Sequence, residues 1–151
     1  MSAVGDALKV VVALCKRFEG FSPTPYTCPA GVATIGYGNT FYEDGTKVTL
    51  QDKPITRSEA ELVLIRSLST QYLLSVLKAS PRLITHPERL GAITDFCFNL
   101  GAARYRASTL RKRIDAGDVE GAKEEILKWN KAGGRVLPGL VKRRAAERAL
   151  F

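Results

Sequence analysis

The helical period of this chain stops at Gly20 and does not resume until after Pro54. Between them Pro29-Ala30-Gly31, Gly36, Gly38 and Asp44-Gly45 supply turns. The stretches VATIGYG and TKVTL have the β-branched content of short strands. Such a segment excludes a plain helical bundle and predicts a small antiparallel sheet of two or three strands. A sheet that small buries little by itself. It is expected to pack as a lobe against neighbouring helices and to leave a cleft between.

The neighbours read as helices. Val4 to Phe18 repeats Leu8, Val11, Cys15 and Phe18 at helical spacing, so Cys15 is core, and Gly20 ends the run. After the sheet segment, Thr56 or Ser58 starts a second helix, with Glu59 or Glu61 at capping-box spacing. Leu62, Ile65, Leu68, Tyr72, Leu73, Val76 and Leu77 predict one long apolar face along it. Thr85 with Glu88 is expected to cap a third helix, Pro87 to Leu100, which reads as the buried centre and ends at Gly101. Ser108 begins a fourth helix and Asp118 a fifth, through Trp129 to Gly133-Gly134; Pro138 opens a sixth. The expected fold class is α+β in one domain: an N-terminal helix at 4–18, a β lobe over about 20–54 and a helical lobe over about 56–151. A length of 151 residues suits a single core of that kind.

The net charge is +8, and its distribution is uneven. From Ala102 to Phe151 there are 13 Lys/Arg against 6 Asp/Glu; the rest of the chain is nearly balanced. A basic C-terminal third favours an anionic polymer or surface. Nucleic acid is one such polymer, but no nucleic-acid motif is present, and that reading leaves the Gly/Thr-rich segment unexplained. Cys15, Cys28 and Cys97 form no CxxC pair and His86 is the only histidine, so no structural zinc site is expected, and hydrolysis by an acid with a second side-chain group needs neither metal nor cofactor. The apolar run Leu8 to Leu14 is short, interrupted by Lys9 and followed by Lys16-Arg17. Neither a signal peptide nor a membrane anchor is expected from it.

Chemistry concentrates around Glu19. A carboxyl at the joint between a helix and a sheet lobe is partly desolvated, and desolvation favours the protonated form that a general acid needs. Hydrolysis of a glycoside also requires a second group across the sugar, acting on water or on the anomeric carbon. No carboxylate stands between Glu19 and Glu43. Cys28 is the nearest group able to act as base or nucleophile, held extended by Pro29, and Thr34 is placed to orient a water. From the residues alone, an inert buried thiol is the alternative.

The spacing Glu19, eight residues, Cys28, five residues, Thr34, followed by Ile35-Gly36-Tyr37-Gly38, resembles the phage-type lysozymes. Their pattern is Glu, then Asp or Cys, then Thr. PITRSEAELVL, AITDFCFNLGA, STLRKRIDAGD and KWNKAGGRVLPGLVKRRAAERALF resemble the helices of the same family, its lambdoid members above all. The resemblance implies a muramidase cutting β-1,4 bonds between N-acetylmuramic acid and N-acetylglucosamine. Glu19 would be the general acid, Cys28 the second catalytic group and Thr34 its helper. Cys28 would activate water, attack directly or only shape the pocket. Thr40, Phe98, Asn99 and Thr109 match positions lining the saccharide cleft. Trp129 matches a core tryptophan. Tyr26 and Tyr37 either stack on sugars or pack the small lobe. Arg143 and Arg144 either pair with acids beneath the cleft or contact the anionic wall. Asn39 stands where T4-like members have a histidine paired with a distant acid. The same resemblance implies a monomer, stored in the host cytoplasm and released to the periplasm by a holin, with peptidoglycan as its partner. The alternative is a lysozyme-fold protein that binds peptidoglycan without cleaving it.

Overall fold

In the computed structural model, which describes residues 2–151, the chain opens with helix α1 (Ala3–Glu19). The Ser2 hydroxyl caps it, accepting from the Gly5 N–H at 3.0 Å. Ala7, Val11, Leu14 and Cys15 form its buried stripe. Gly20 ends it at φ +69°, which makes Glu19 the last helical residue.

Two strands follow, β1 (Ser22–Thr27) and β2 (Ala33–Gly36), paired antiparallel with Tyr26 opposite Thr34. β1 was hidden in the sequence because SPTPYT carries two prolines. They are tolerated because both strands of a two-stranded sheet are edges, and the register slips between Ser22 and Tyr26, where the prolines lack donors. TKVTL does not form a regular strand. It contributes an isolated bridge between Phe41 and Lys47 and a bond from the Val48 N–H to the Thr40 carbonyl at 2.9 Å.

Thr56 caps α2 (Arg57–Ser67), accepting from the Glu59 N–H at 3.1 Å, while Ser58 lies within the helix. The helix continues through a π-helical turn, Leu68–Tyr72, into α3 (Leu73–Ala79). The cause is local: the Ser67, Ser69 and Thr70 hydroxyls donate to the carbonyls of Leu64 and Arg66, competing with the regular ladder. The buried face includes Leu68, Leu73 and Val76 as expected but differs along α2. Ala60, Val63, Leu64 and Leu68 point inward, whereas Leu62 is 54% exposed. Apolar residues surround α2 on all sides, so periodicity alone does not select its face. The whole stretch Arg57–Ala79 is long and apolar enough to cross a membrane by composition. Its Leu64, Leu68, Leu73 and Val76 are nevertheless buried in the protein, as in any core helix.

A 3₁₀ turn, Pro81–Thr85, leads to α4 (Pro87–Leu100). Thr85 does not cap α4: its hydroxyl donates to the Arg82 carbonyl at 3.0 Å, and His86 takes the cap position without a side-chain bond. Pro87 at the first helical position starts the helix instead. Every residue from Leu90 to Cys97 is buried, so α4 is the central helix, as expected. A short α5 (Ala102–Arg106) precedes α6 (Thr109–Asp115), capped by Ser108, and α7 (Val119–Leu127), capped by Asp118. A small hairpin of β3 (Lys131–Ala132) and β4 (Arg135–Val136) turns at Gly133-Gly134 and delivers α8 (Pro138–Arg148).

Two apolar clusters share α1. Ala7 joins the helical core of Leu83, Leu90, Ile93, Phe96, Leu110 and Ile126, against which Trp129 packs. Val11 and Cys15 join Tyr37, Ala60, Leu64 and Leu68 beneath the sheet lobe. Leu8 and Tyr72 touch both clusters. The crossing of α1 over α4 is tight at Gly91, where a β-carbon would lie 2.6 Å from Val10 Cγ1 and 3.0 Å from the Ala7 carbonyl oxygen. Gly91→Ala is expected to cost about 1–3 kcal/mol by overpacking. Urea unfolding checks this, and an unchanged midpoint would show that the crossing gives way freely.

Candidate active site

Glu19 reaches the cleft because α1 ends there. Its carboxyl rests on Gly38, whose added β-carbon would meet Oε1 at 2.9 Å and Cδ at 3.3 Å. Gly38 also sits at φ +85°. Both facts require glycine in the final position of TIGYG. The side chain of Glu19 is 22% exposed, and its Oε2 accepts from Arg143 Nη1 at 2.5 Å.

Cys28 closes the hairpin between β1 and β2. Its N–H donates to the Val32 carbonyl at 3.0 Å, and its own carbonyl accepts from Gly31 at 2.8 Å. Pro29 sits in the first central position of that turn and Gly31 turns left-handed at φ +81°. This places the thiol at the strand end, partly exposed. The Val32 N–H holds the thiol below its ordinary value. Burial works the other way, and the Ala30 N–H and the Thr34 hydroxyl add to the lowering. Thr34, buried on β2, donates to the Val32 carbonyl at 2.9 Å. Tyr26, opposite Thr34, feels both sides of the site: burial raises its phenol, and the charges of Glu19 and Cys28 raise it further.

Arg143 and Arg144 pair with acids rather than with solvent. Arg143 donates from Nε and Nη2 to the two oxygens of Asp95, at 2.9 and 2.7 Å. Arg144 donates from Nη2 to Glu147 and to Asn99, each at 2.8 Å. Asn99 thus turns its carbonyl oxygen toward α8. Phe98 is half-buried, edge-on to Tyr72 with ring centres 5.1 Å apart. Thr40 is half-buried on the sheet side, and Thr109 is exposed at the start of α6. Tyr37 packs the small lobe, 4% exposed and 5.5 Å from the ring of Phe21. Asn39 donates from Nδ2 to Ser67 Oγ at 2.8 Å, tying the lobe to α2. From the sequence Asp95 and Glu147 carry no assigned role, and Gly38 reads only as a turn residue. A carboxylate inside the apolar run AITDFCF, and a glutamate three residues after an Arg-Arg pair, were the available signals.

Two expectations follow. Gly38→Ala should displace the Glu19 carboxyl and strain the backbone, costing about 1–3 kcal/mol and most of any lytic activity; parallel unfolding and lysis assays decide. The second concerns thiol reactivity. A lowered thiol keeps more thiolate at neutral pH, so alkylation should persist to lower pH than for a free cysteine. Burial pushes Cys97 up to about 12 and raises Cys15 further. Iodoacetamide at neutral pH should therefore modify Cys28 alone, read by peptide mass mapping; equal labelling of all three would contradict the geometry.

A sequence model of the phage lysozyme family matches residues 16–147. An endolysin of Acyrthosiphon pisum secondary endosymbiont phage 1 is 37% identical over 142 residues, 91% of this chain and 92% of that protein. A SAR-endolysin of Enterobacteria phage P21 is 34% identical over 134 residues, 87% of this chain and 76% of that one. Among solved structures, the endolysin from Escherichia coli O157:H7 phage FAHEc1 aligns with a TM-score of 0.81 at 29% identity, covering 94% of this chain and 90% of that one. A mutant of P22 lysozyme aligns at 0.77 and 28% identity, covering 93% of each. By sequence and by its small sheet set among helices, this chain belongs to the phage lysozyme family.

Proposed function

We propose that the protein is an endolysin muramidase that hydrolyses the β-1,4 bond between N-acetylmuramic acid and N-acetylglucosamine in peptidoglycan. The observation carrying this reading is that Tyr26 feels both a helix-end carboxyl, Glu19, and a hairpin-end thiol held below its ordinary value, Cys28, in a chain of the phage lysozyme family. Glu19 protonates the leaving glycosidic oxygen. Positive charge then develops at the anomeric carbon. The Cys28 thiolate supplies the negative charge that a carboxylate would supply there and takes a proton from the attacking water. Thr34 orients that water. Thr40, Phe98, Asn99 and Thr109 contribute to the saccharide cleft. Water activation inverts the anomeric centre, whereas direct attack by sulfur would retain it; NMR of the first product distinguishes them. Release through a holin pore is part of the same reading.

Glu19→Gln should reduce clearing of outer-membrane-permeabilised Gram-negative cells by about 10²–10⁴-fold, the usual contribution of a general acid. Circular dichroism should report an unchanged fold. Clearing at the wild-type rate would sink the assignment. Cys28→Asp should remain active and Cys28→Ala should fall sharply. Wall binding without clearing by all of them, wild type included, would make this a peptidoglycan-binding protein.

A further inference from the structure

Behind Glu19, the facing sides of α1, α4 and α8 enclose a cluster of charges. Asp95, Arg144 and Glu147 are each 0% exposed and Arg143 is 3% exposed. With Glu19, two cations face three acids. Glu19 is 22% exposed and can be solvated, so the part out of reach of water is two cations against two acids, and a proton there is decided by hydrogen bonding rather than by the charge count.

The hydrogen bonds indicate where that proton sits. Asp95 receives two arms of the Arg143 guanidinium and the Cys15 thiol, the last at 3.4 Å. Glu147 receives only Arg144, on Oε1, and its Oε2 is buried with no partner. A hydrogen bond with Asp95 is among the causes that raise Glu147, and one with Glu147 is among those that lower Asp95. A proton on Glu147 Oε2, donated to Asp95, would satisfy the orphaned atom.

We propose that Asp95 is a positioning residue for the reaction: it clamps two arms of Arg143 so that the third fixes the Glu19 carboxyl on Gly38, and Glu147 serves it as a neutral, proton-donating partner. The inference rests on Glu19 being the acid of the proposed hydrolysis. Burial raises Glu147 well above the usual carboxylate range, and its contact with Asp95 adds to this, against the attraction of Arg144 and Arg143. Burial also works to raise Asp95, but the hydrogen bonds from Arg143 and Glu147 and the Arg143 charge outweigh it. The other groups facing the pair are Glu19 and Cys15 from α1 and Cys97 and Asn99 from α4.

The test has two parts. Infrared spectroscopy at pH 7 should detect a protonated carboxyl C=O stretch in the wild type that is lost in Glu147→Gln. Its absence from the wild type would overturn the assignment of the proton. The second part compares Asp95→Asn with wild type on purified glycan strands. Arg143 then loses the partner that fixes its other two arms, and the Glu19 carboxyl loses its fixed place on Gly38. kcat should fall by about 10- to 100-fold with KM held, as for a misplaced catalytic group. An unchanged kcat, with only the melting temperature lowered, would make Asp95 merely structural. If Asp95→Asn does not fold, Arg143→Lys gives the same comparison, because an ammonium cannot fork between Asp95 and Glu19; an unchanged kcat there overturns the clamp. Glu19→Gln runs alongside. Retained lysis by that variant sinks the muramidase reading and the clamp together, whereas loss in Glu19→Gln with none in Asp95→Asn sinks the clamp alone.

Discussion

The fork of Arg143 is the interaction on which the site depends. One guanidinium joins three helices that are far apart in sequence: α8 carries it, α4 presents Asp95 and α1 ends in Glu19. A planar group with fixed donors suits this task, because its geometry passes the position of one carboxylate to the other. Burial makes the arrangement all-or-none. Removing one partner of such a pair leaves an uncompensated charge, at a typical cost of about 3–5 kcal/mol. The cluster is therefore poor evidence for added stability and good evidence for orientation.

The sheet lobe supplies the other wall by different means. It has only two short strands, and its order comes from turn chemistry rather than from a wide ladder. Pro29 and Gly31 close the hairpin at Cys28, and Asn39 and Gly36 pack the lobe against α2 through Ser67 and Ala60. The backbone N–H groups of that tight turn favour a thiolate.

Legibility in the sequence followed the range of the forces involved. Local chemistry was readable. Thr56, Ser108 and Asp118 cap helices as expected, and Gly20 and Gly101 end them, since caps and turns involve residues three or four apart. Thr85 misled because its hydroxyl found the Arg82 carbonyl first. Leu62 misled because α2 has apolar residues on every side. β1 was missed because a strand with no outer neighbours accommodates prolines that a central strand would reject.

The sequence by itself determined the order of the longer helices, the place of the β lobe and the spacing of Glu19, Cys28 and Thr34, all of which depend on capping, periodicity and turns within a few residues; the short α5 and the β3–β4 hairpin, where the Asp118 helix was expected to continue to Gly133-Gly134, were not read from it. Only the tertiary structure decided that Gly38 seats the Glu19 carboxyl and that Arg143 faces inward. It alone placed Asp95 with Glu147 behind the site. These residues lie up to 124 positions apart in the chain, and no local propensity encodes such a meeting. They come together because burying the apolar faces of α1, α4 and α8 forces the remaining charges to satisfy one another.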